Sequence, residues 1–367
     1  MKLKMKLTGL MVVLMIFIAA IISMVLLSWA ARVQTMNARE NMKNMAGLYA
    51  KDLKNYYENT LDIARILSQI MGGYKNIEGE DRRPRFNEAM FKILEANPQV
   101  EELYTVWRPG LIDGRDGELA RTPGTDASGG YISWYTRESG TIELRPYPDY
   151  RFFQTHMPDR ETVSDPISRI VNGRPVFFVS FYSPIIPDKD DKAAGMVGIT
   201  INLSYSLEVI NKLRPFGDGS AGLYAYNGLI VAHNLPGRIG HDFRELGQQN
   251  FGVRGITLIE DSLSSGSPVS FEYQGRLVQS YPFTIGKVTT PWTLLTTVPL
   301  ATILSEIRIM RLFVIALAAS TISLSALIIF IIAAGITKPI TGWSESPRLP
   351  AVNPGPSGGV RGGVPAS

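Results

Sequence analysis

The chain has 367 residues, 45% of them hydrophobic and 19% charged, with a formal net charge of +4 and no cysteine. These figures exclude a disulfide-stapled scaffold, because a body this long buries an adequate core without staples. The basic residues are scattered rather than clustered, which excludes a nucleic-acid-binding stripe.

In chain order, Lys2, Lys4 and Lys6 come first, followed by an uncharged apolar run over residues 7–31. A second such run covers residues 312–336. Each is about 25 residues, and about 20 cross a ~30 Å hydrocarbon core as a helix. Flanking lysines favour the cytoplasmic side. The expected layout is therefore residues 1–6 in the cytoplasm, a first membrane helix over 7–31, and an extracytoplasmic domain over 32–311. The second helix, 312–336, returns the chain to the cytoplasm at 337–367. A cleaved signal peptide is the alternative for the first run, with Ser28 and Ala30 as its small residues. However, a signal peptide's apolar stretch is only about 7–15 residues long.

Beyond Arg32, Met42, Met45, Tyr49, Leu53, Tyr56, Thr60, Ile63, Leu67 and Ile70 recur at spacings of three and four, predicting a long helix that ends at Gly72-Gly73. Its stripe either packs on its own domain or seals a dimer. Residues 78–85 read as a loop and 85–96 as a second helix. Strand signals follow from Val100, clearest over 175–182 and 195–203, with a short helix over 206–213. A second set covers 223–226, 229–232, 269–273, 276–282 and 292–298. Tyr226-Asn227-Gly228-Leu229 and Tyr273-Gln274-Gly275-Arg276 are hairpin turns. A helix from Leu300 runs into the second apolar segment. The fold class expected is α+β: two transmembrane helices flanking a long helix and two tandem modules, about 75–205 and about 215–299.

Several stretches together resemble the double Cache sensor domain of bacterial methyl-accepting chemotaxis proteins. Ser183-Pro184-Ile185 and the run from Gly195 to Leu203 resemble the closing strands of the membrane-distal module. The run from Gly228 to Asn234, then Ile239-Gly240, resembles the central hairpin of the membrane-proximal one. Pro291-Trp292-Thr293-Leu294 and Val298-Pro299 resemble its last strand, and Ile336-Thr337-Lys338-Pro339-Ile340 the opening of a HAMP linker. The resemblance implies PAS-like modules, a small-molecule pocket in the distal one, a homodimer, and an inner-membrane receptor with a cytoplasmic signalling coiled coil coupled to a chemotaxis kinase and adaptor. It implies no enzyme activity, no cofactor and no metal.

The site residues are expected from the same resemblance. Amino-acid-binding relatives carry an Asp where this chain has Thr200, and a hydroxyl cannot neutralise an ammonium. Tyr131, Trp134, Tyr147, Arg151 and Phe153 lie in the segment that caps the pocket in relatives. The expectation is a small carboxylate or similar anion on Arg151, with Ser180 and Thr200 on the floor and Asp165 nearby. Alternatively, the aromatics are core and Arg151 pairs with Asp149 or Asp165. His156, His233 and His241 are too dispersed for a metal set. Gly217-Asp218-Gly219-Ser220-Ala221-Gly222 fits a GxGxxG pattern, but β-type residues follow it, so it reads as a turn. Residues 188–192 read as a solvated hairpin loop that could attract a cation. The Gly- and Pro-rich tail cannot continue a HAMP helix, and the change in composition after Ile340 predicts a shifted or truncated reading frame. Competing readings are the ectodomain of a histidine kinase or cyclic-dinucleotide cyclase, or a stand-alone ligand-binding membrane protein.

Overall fold

The computed structural model describes residues 2–187 and 192–342. The tail from 343 onward, and the loop at 188–191 read above as a cation-attracting turn, lie outside the described residues. Contacts divide the chain into two units, considered separately: the apolar helical segments up to Ala30 and from Ile307, and a body from Ala31 to Glu306.

The first helix, α1 (Lys2–Gly72), is uninterrupted because no proline or glycine pair occurs before Gly72-Gly73. In the body its buried face is Ala38, Met42, Ala46, Ala50, Leu53, Tyr57, Leu61, Ala64, Leu67 and Met71. This differs from the expected stripe: Ile70 is 53% exposed, and the alanines carry much of the contact. Small side chains let the sheets approach the helix closely. Next, α2 (Gly79–Ala96) begins inside the segment read as a loop. Glu80 and Asp81 in its first turn favour a helix start, because acidic groups there complement the helix dipole.

The first module then contains β1 (Val100–Trp107), β2 (Ser133–Thr136), β3 (Glu143–Pro146), the short α3 (Tyr150–Thr155), β4 (Thr162–Val163), β5 (Ile167–Val171), β6 (Arg174–Ile185) and β7 (Gly195–Asn202). These strands form one antiparallel sheet in the order β3-β2-β1-β7-β6-β4, with β5 also on β6. After α4 (Ser204–Lys212), the second module has β8 (Ser220–Tyr224), β9 (Ile230–His233), α5 (Phe243–Asn250), α6 (Gly252–Ser265), β10 (Ser270–Tyr273), β11 (Arg276–Phe283) and β12 (Trp292–Pro299). Its sheet runs β10-β11-β12-β8-β9. Gly228 and the Gln274-Gly275 pair have positive φ at the hairpin turns, as those turns require. Gly217 is likewise a turn glycine, with β8 and no helix after it.

One hydrophobic core joins α1 to both sheets. Tyr57 lies near Phe181 of β6 and Trp292 of β12, with ring centroids at 5.9 and 5.7 Å. Its hydroxyl shares a hydrogen bond with Ser206. Each fully buried leucine or aromatic here contributes about 1.5–3 kcal/mol. The chain leaves the second sheet through α7 (Leu300–Ile303) into α8 (Ser305–Gly342). The backbone of α8 continues through the HAMP-like residues 336–340. Both apolar segments are long enough to cross a membrane, and their apolar windows are unburied by protein.

Candidate functional site

Strand parity builds the site. On β1, Leu103 and Trp107 belong to the core under the helices, and Thr105 faces Met71 of α1. Tyr104 and Val106 therefore point to the opposite face. Tyr104 pairs across the ladder with Gly198 of β7. A Cβ on Gly198 would stand 2.1 Å from the Tyr104 ring, so only glycine lets that ring lie over the strand.

Four more aromatics gather on this ring. Tyr147 stacks on Tyr104 with centroids 4.0 Å apart. Trp134 meets Tyr147 edge-on at 6.1 Å. Phe153, carried by α3, lies 5.0 Å from Tyr182, and Tyr182 lies 6.3 Å from Tyr104. Beneath them the buried hydroxyls of Ser180 and Thr200, opposite each other on β6 and β7, hydrogen-bond at 2.8 Å.

The polar atoms are the informative part. The Tyr104 hydroxyl is fully enclosed and meets no partner at hydrogen-bonding geometry, although Ser180, Tyr147 and Tyr182 are its neighbours. The Trp134 indole Nε1 is also buried without a partner. A buried donor left unpaired costs about 1–3 kcal/mol, which a ligand acceptor would recover. Burial raises the Tyr104, Tyr147 and Tyr182 hydroxyls above their ordinary pKa, so all three are neutral.

On the same sheet face is a separate cavity of about 350 Å³, lined by Glu101, Glu102, Thr136, Glu138, Phe178 and Asn202 and by none of the clustered aromatics. The β5–β6 hairpin covers it, turning at Asn172-Gly173, both with positive φ. Arg169 on that hairpin lies 4.9 Å over the Phe178 ring. Its Nη1 donates to the buried Glu102 carboxylate. Among the described residues its Nε and Nη2 donate to no protein acceptor.

Of the residues expected from the sequence, the structure brings together Trp134, Tyr147, Phe153, Ser180 and Thr200. Tyr131 is buried on the helix side instead, donating to Asn87 Oδ1 at 2.8 Å with Arg83 over its ring. Arg151 is exposed and bonds the Tyr150 hydroxyl at 3.1 Å, not Asp149 or Asp165. Asp165 is exposed and accepts from Asn227 of the second module at 3.0 Å. Burial and Asp165 together push the Tyr226 hydroxyl up to about 12. Sequence reasoning missed Tyr104, Tyr182, Gly198, Glu102 and Arg169. Period-two parity from Leu103 and Trp107 would have placed Glu102 and Tyr104 on the open face.

Two antiparallel sheets threaded on one long helix, with an enclosed polar-aromatic cluster on the first, match the fold that the resemblance to double Cache sensor domains implied. The comparisons agree. The methyl-accepting chemotaxis protein TlpQ of Pseudomonas aeruginosa is 23% identical over 307 residues, 74% of this chain. This chain spans 42% of that curated relative's length. The extracellular domain of the proposed histidine kinase mmHK1S-Z2 matches at 25% identity with a TM-score of 0.60, covering 73% of this chain and 99% of that one. The periplasmic sensory domain of the Campylobacter jejuni chemoreceptor Tlp1 shares the fold at 13% identity and a TM-score of 0.55, covering 74% and 98%. No family model matches the chain.

Proposed function

We propose that this protein is a transmembrane chemoreceptor of the inner membrane that senses a small extracellular molecule in its membrane-distal module. The observation that carries this is the enclosed aromatic cluster with partnerless Tyr104 and Trp134 donors beside a 350 Å³ cavity. Pockets of this size suit small organic ligands. The ectodomain acts as a binding module, and no step of catalysis is assigned to it. Ligand binding biases one packing of the first sheet over another, by the difference in its affinity for the two.

A small carboxylate remains the ligand class we favour, with one change of residue. Arg169 faces the cavity, whereas Arg151 faces solvent. Its free Nε and Nη2 offer a ligand carboxylate the fork that Nη1 does not occupy. The N-terminus lies in the cytoplasm and the chain spans the membrane twice. It works as a homodimer, consistent with the exposed Leu48, Ile66 and Ile70 on α1. A cytoplasmic chemotaxis kinase and its adaptor receive the signal. Similarity to mmHK1S-Z2 supports a second reading, in which the same ectodomain serves a histidine kinase.

The test is a thermal-shift screen of the full chain in nanodiscs against organic acids, amino acids, amines and sugars. At least one organic acid is expected to raise the melting temperature, and Tyr147→Ala to abolish the shift. No stabilising compound in any class would sink the reading.

A further inference from the structure

The second module has its own cleft, separate from the cluster described above. It has a volume of about 380 Å³ and opens between α1 and β11, with Gly266 and Pro291 at one end. The only charged residues lining it are Lys51 and Lys54, one turn apart on α1. Among the described residues neither lysine has a carboxylate partner. Other helix-borne lysines do: Lys92 pairs with Glu95 at 2.9 Å and Lys212 with Glu208 at 2.7 Å.

The facing wall is largely apolar, built from Tyr281, Pro282 and Phe283 of β11. The Tyr281 ring closes against Gly47, where a Cβ would come within 2.9 Å of it. That contact narrows the cleft and leaves the lysines at its mouth. The Tyr281 and Thr284 hydroxyls have no hydrogen-bond partner among the described residues. The cleft thus offers two unpaired cations, two free hydroxyls and an aromatic-aliphatic wall, with no acid to repel an anion.

We propose that this cleft is a second binding site, taking a small organic anion with an apolar body, such as an aromatic carboxylate. The carboxylate sits between Lys51 and Lys54, and the body lies on Phe283 and Pro282. Because the cations belong to α1 and the wall to β11, a bound anion ties helix to sheet. It stabilises the second module by mass action. The lysine stems also cover the apolar body while their heads stay at the mouth.

The experiment is titration calorimetry of the full chain in nanodiscs with benzoate, with its neutral isostere benzamide as the comparison. Benzoate is expected to bind saturably and benzamide at least about tenfold more weakly, a difference of about 1.4 kcal/mol. The Lys51→Gln/Lys54→Gln double variant should lose at least about tenfold in benzoate affinity, while Lys92→Gln keeps it. Absence of saturable benzoate binding to the wild type overturns the proposal. So does undiminished binding by the double variant, or an equal loss in Lys92→Gln.

Discussion

Arg65 on α1 anchors an ion-pair cluster whose Glu58 and Glu161 carboxylates also accept from the second module, and Glu161→Gln should loosen that junction. Arg65 binds Glu161 with two hydrogen bonds, Nε to Oε1 at 2.8 Å and Nη2 to Oε2 at 2.7 Å. Its Nη1 reaches Asp62 at 2.6 Å and Glu58 at 3.3 Å. From the second module, Gly286 N–H donates to Glu58 at 2.7 Å and Lys287 N–H to Glu161 at 3.2 Å. Gly286 has a φ of +61°, and a Cβ on it would meet Leu61 at 2.5 Å and Glu161 at 2.8 Å. The chain is therefore drawn tight against the ion pair. Side-chain exposure is 24% for Arg65 and 10% for Glu161. The pair thus falls between exposed bridges, worth up to about 1 kcal/mol, and buried ones, where loss of one partner costs about 3–5 kcal/mol. The glutamine keeps the shape and one acceptor, so the expected loss is about 2 kcal/mol. For a body of this size, at about 2.1 cal/mol/K per residue, that lowers the melting temperature by roughly 3–4 °C.

Scanning calorimetry of the full chain, with Arg65→Gln and the double variant completing a cycle, reads this directly. The Arg65 partner first, and then the Lys287 amide, hold the Glu161 carboxyl below its ordinary value of 4.5. Its contribution is full above that value and is lost as pH falls through the lowered one. The gap between wild type and Glu161→Gln should therefore close in acid. A melting temperature within about 1 °C of wild type, or strictly additive single variants, would refute the reasoning.

Other predictions concern the site and one buried base. Gly198→Ala forces a methyl group to within 2.1 Å of the enclosed Tyr104 ring. It should cost about 3 kcal/mol in urea unfolding and remove ligand-induced thermal shifts. Burial, helped by Arg238, pushes His233 down to about 3 from its ordinary 6.5. The stability gained from keeping it neutral is present above 6.5 and is lost progressively as pH falls toward 3. Between pH 6.5 and pH 5 the wild type should lose about 2 kcal/mol more than His233→Gln in urea midpoints, and parallel pH curves would contradict this.

Much of the architecture was legible because short-range chemistry dictates it. The strands β6, β7, β11 and β12 carry unbroken β-forming runs, and Gly228 and Gln274-Gly275 supply the positive φ that the β8–β9 and β10–β11 hairpins need. The helices α3, α5 and α6 were not foreseen. The eight residues of α5 include Gly247, where a Cβ would meet Ile256 of α6 at 2.7 Å, so the glycine is what lets the two helices pack this closely. Tertiary packing rather than propensity makes that helix. The start of α2 looked like a charged loop because its first turn buries only Arg83. In the site, the aromatics of residues 134–153 and the Ser180–Thr200 pair were found, but Glu102, Tyr104, Tyr182 and Arg169 were not. Arg151 neighbours the aromatics along the chain, but α3 turns it outward. Arg169 reaches the same sheet face only through the pairing of β5 with β6 and of β1 with β7.

The central claim is that a ligand occupies the open face of the first sheet. Hydrogen–deuterium exchange of the full chain, with and without the compound giving the largest thermal shift, tests it most directly. The account predicts slowed exchange in β1, β2, α3, β6 and β7, centred on Tyr104, Trp134, Phe153 and Tyr182. Protection confined to residues 220–299, with the first sheet unchanged, would contradict it.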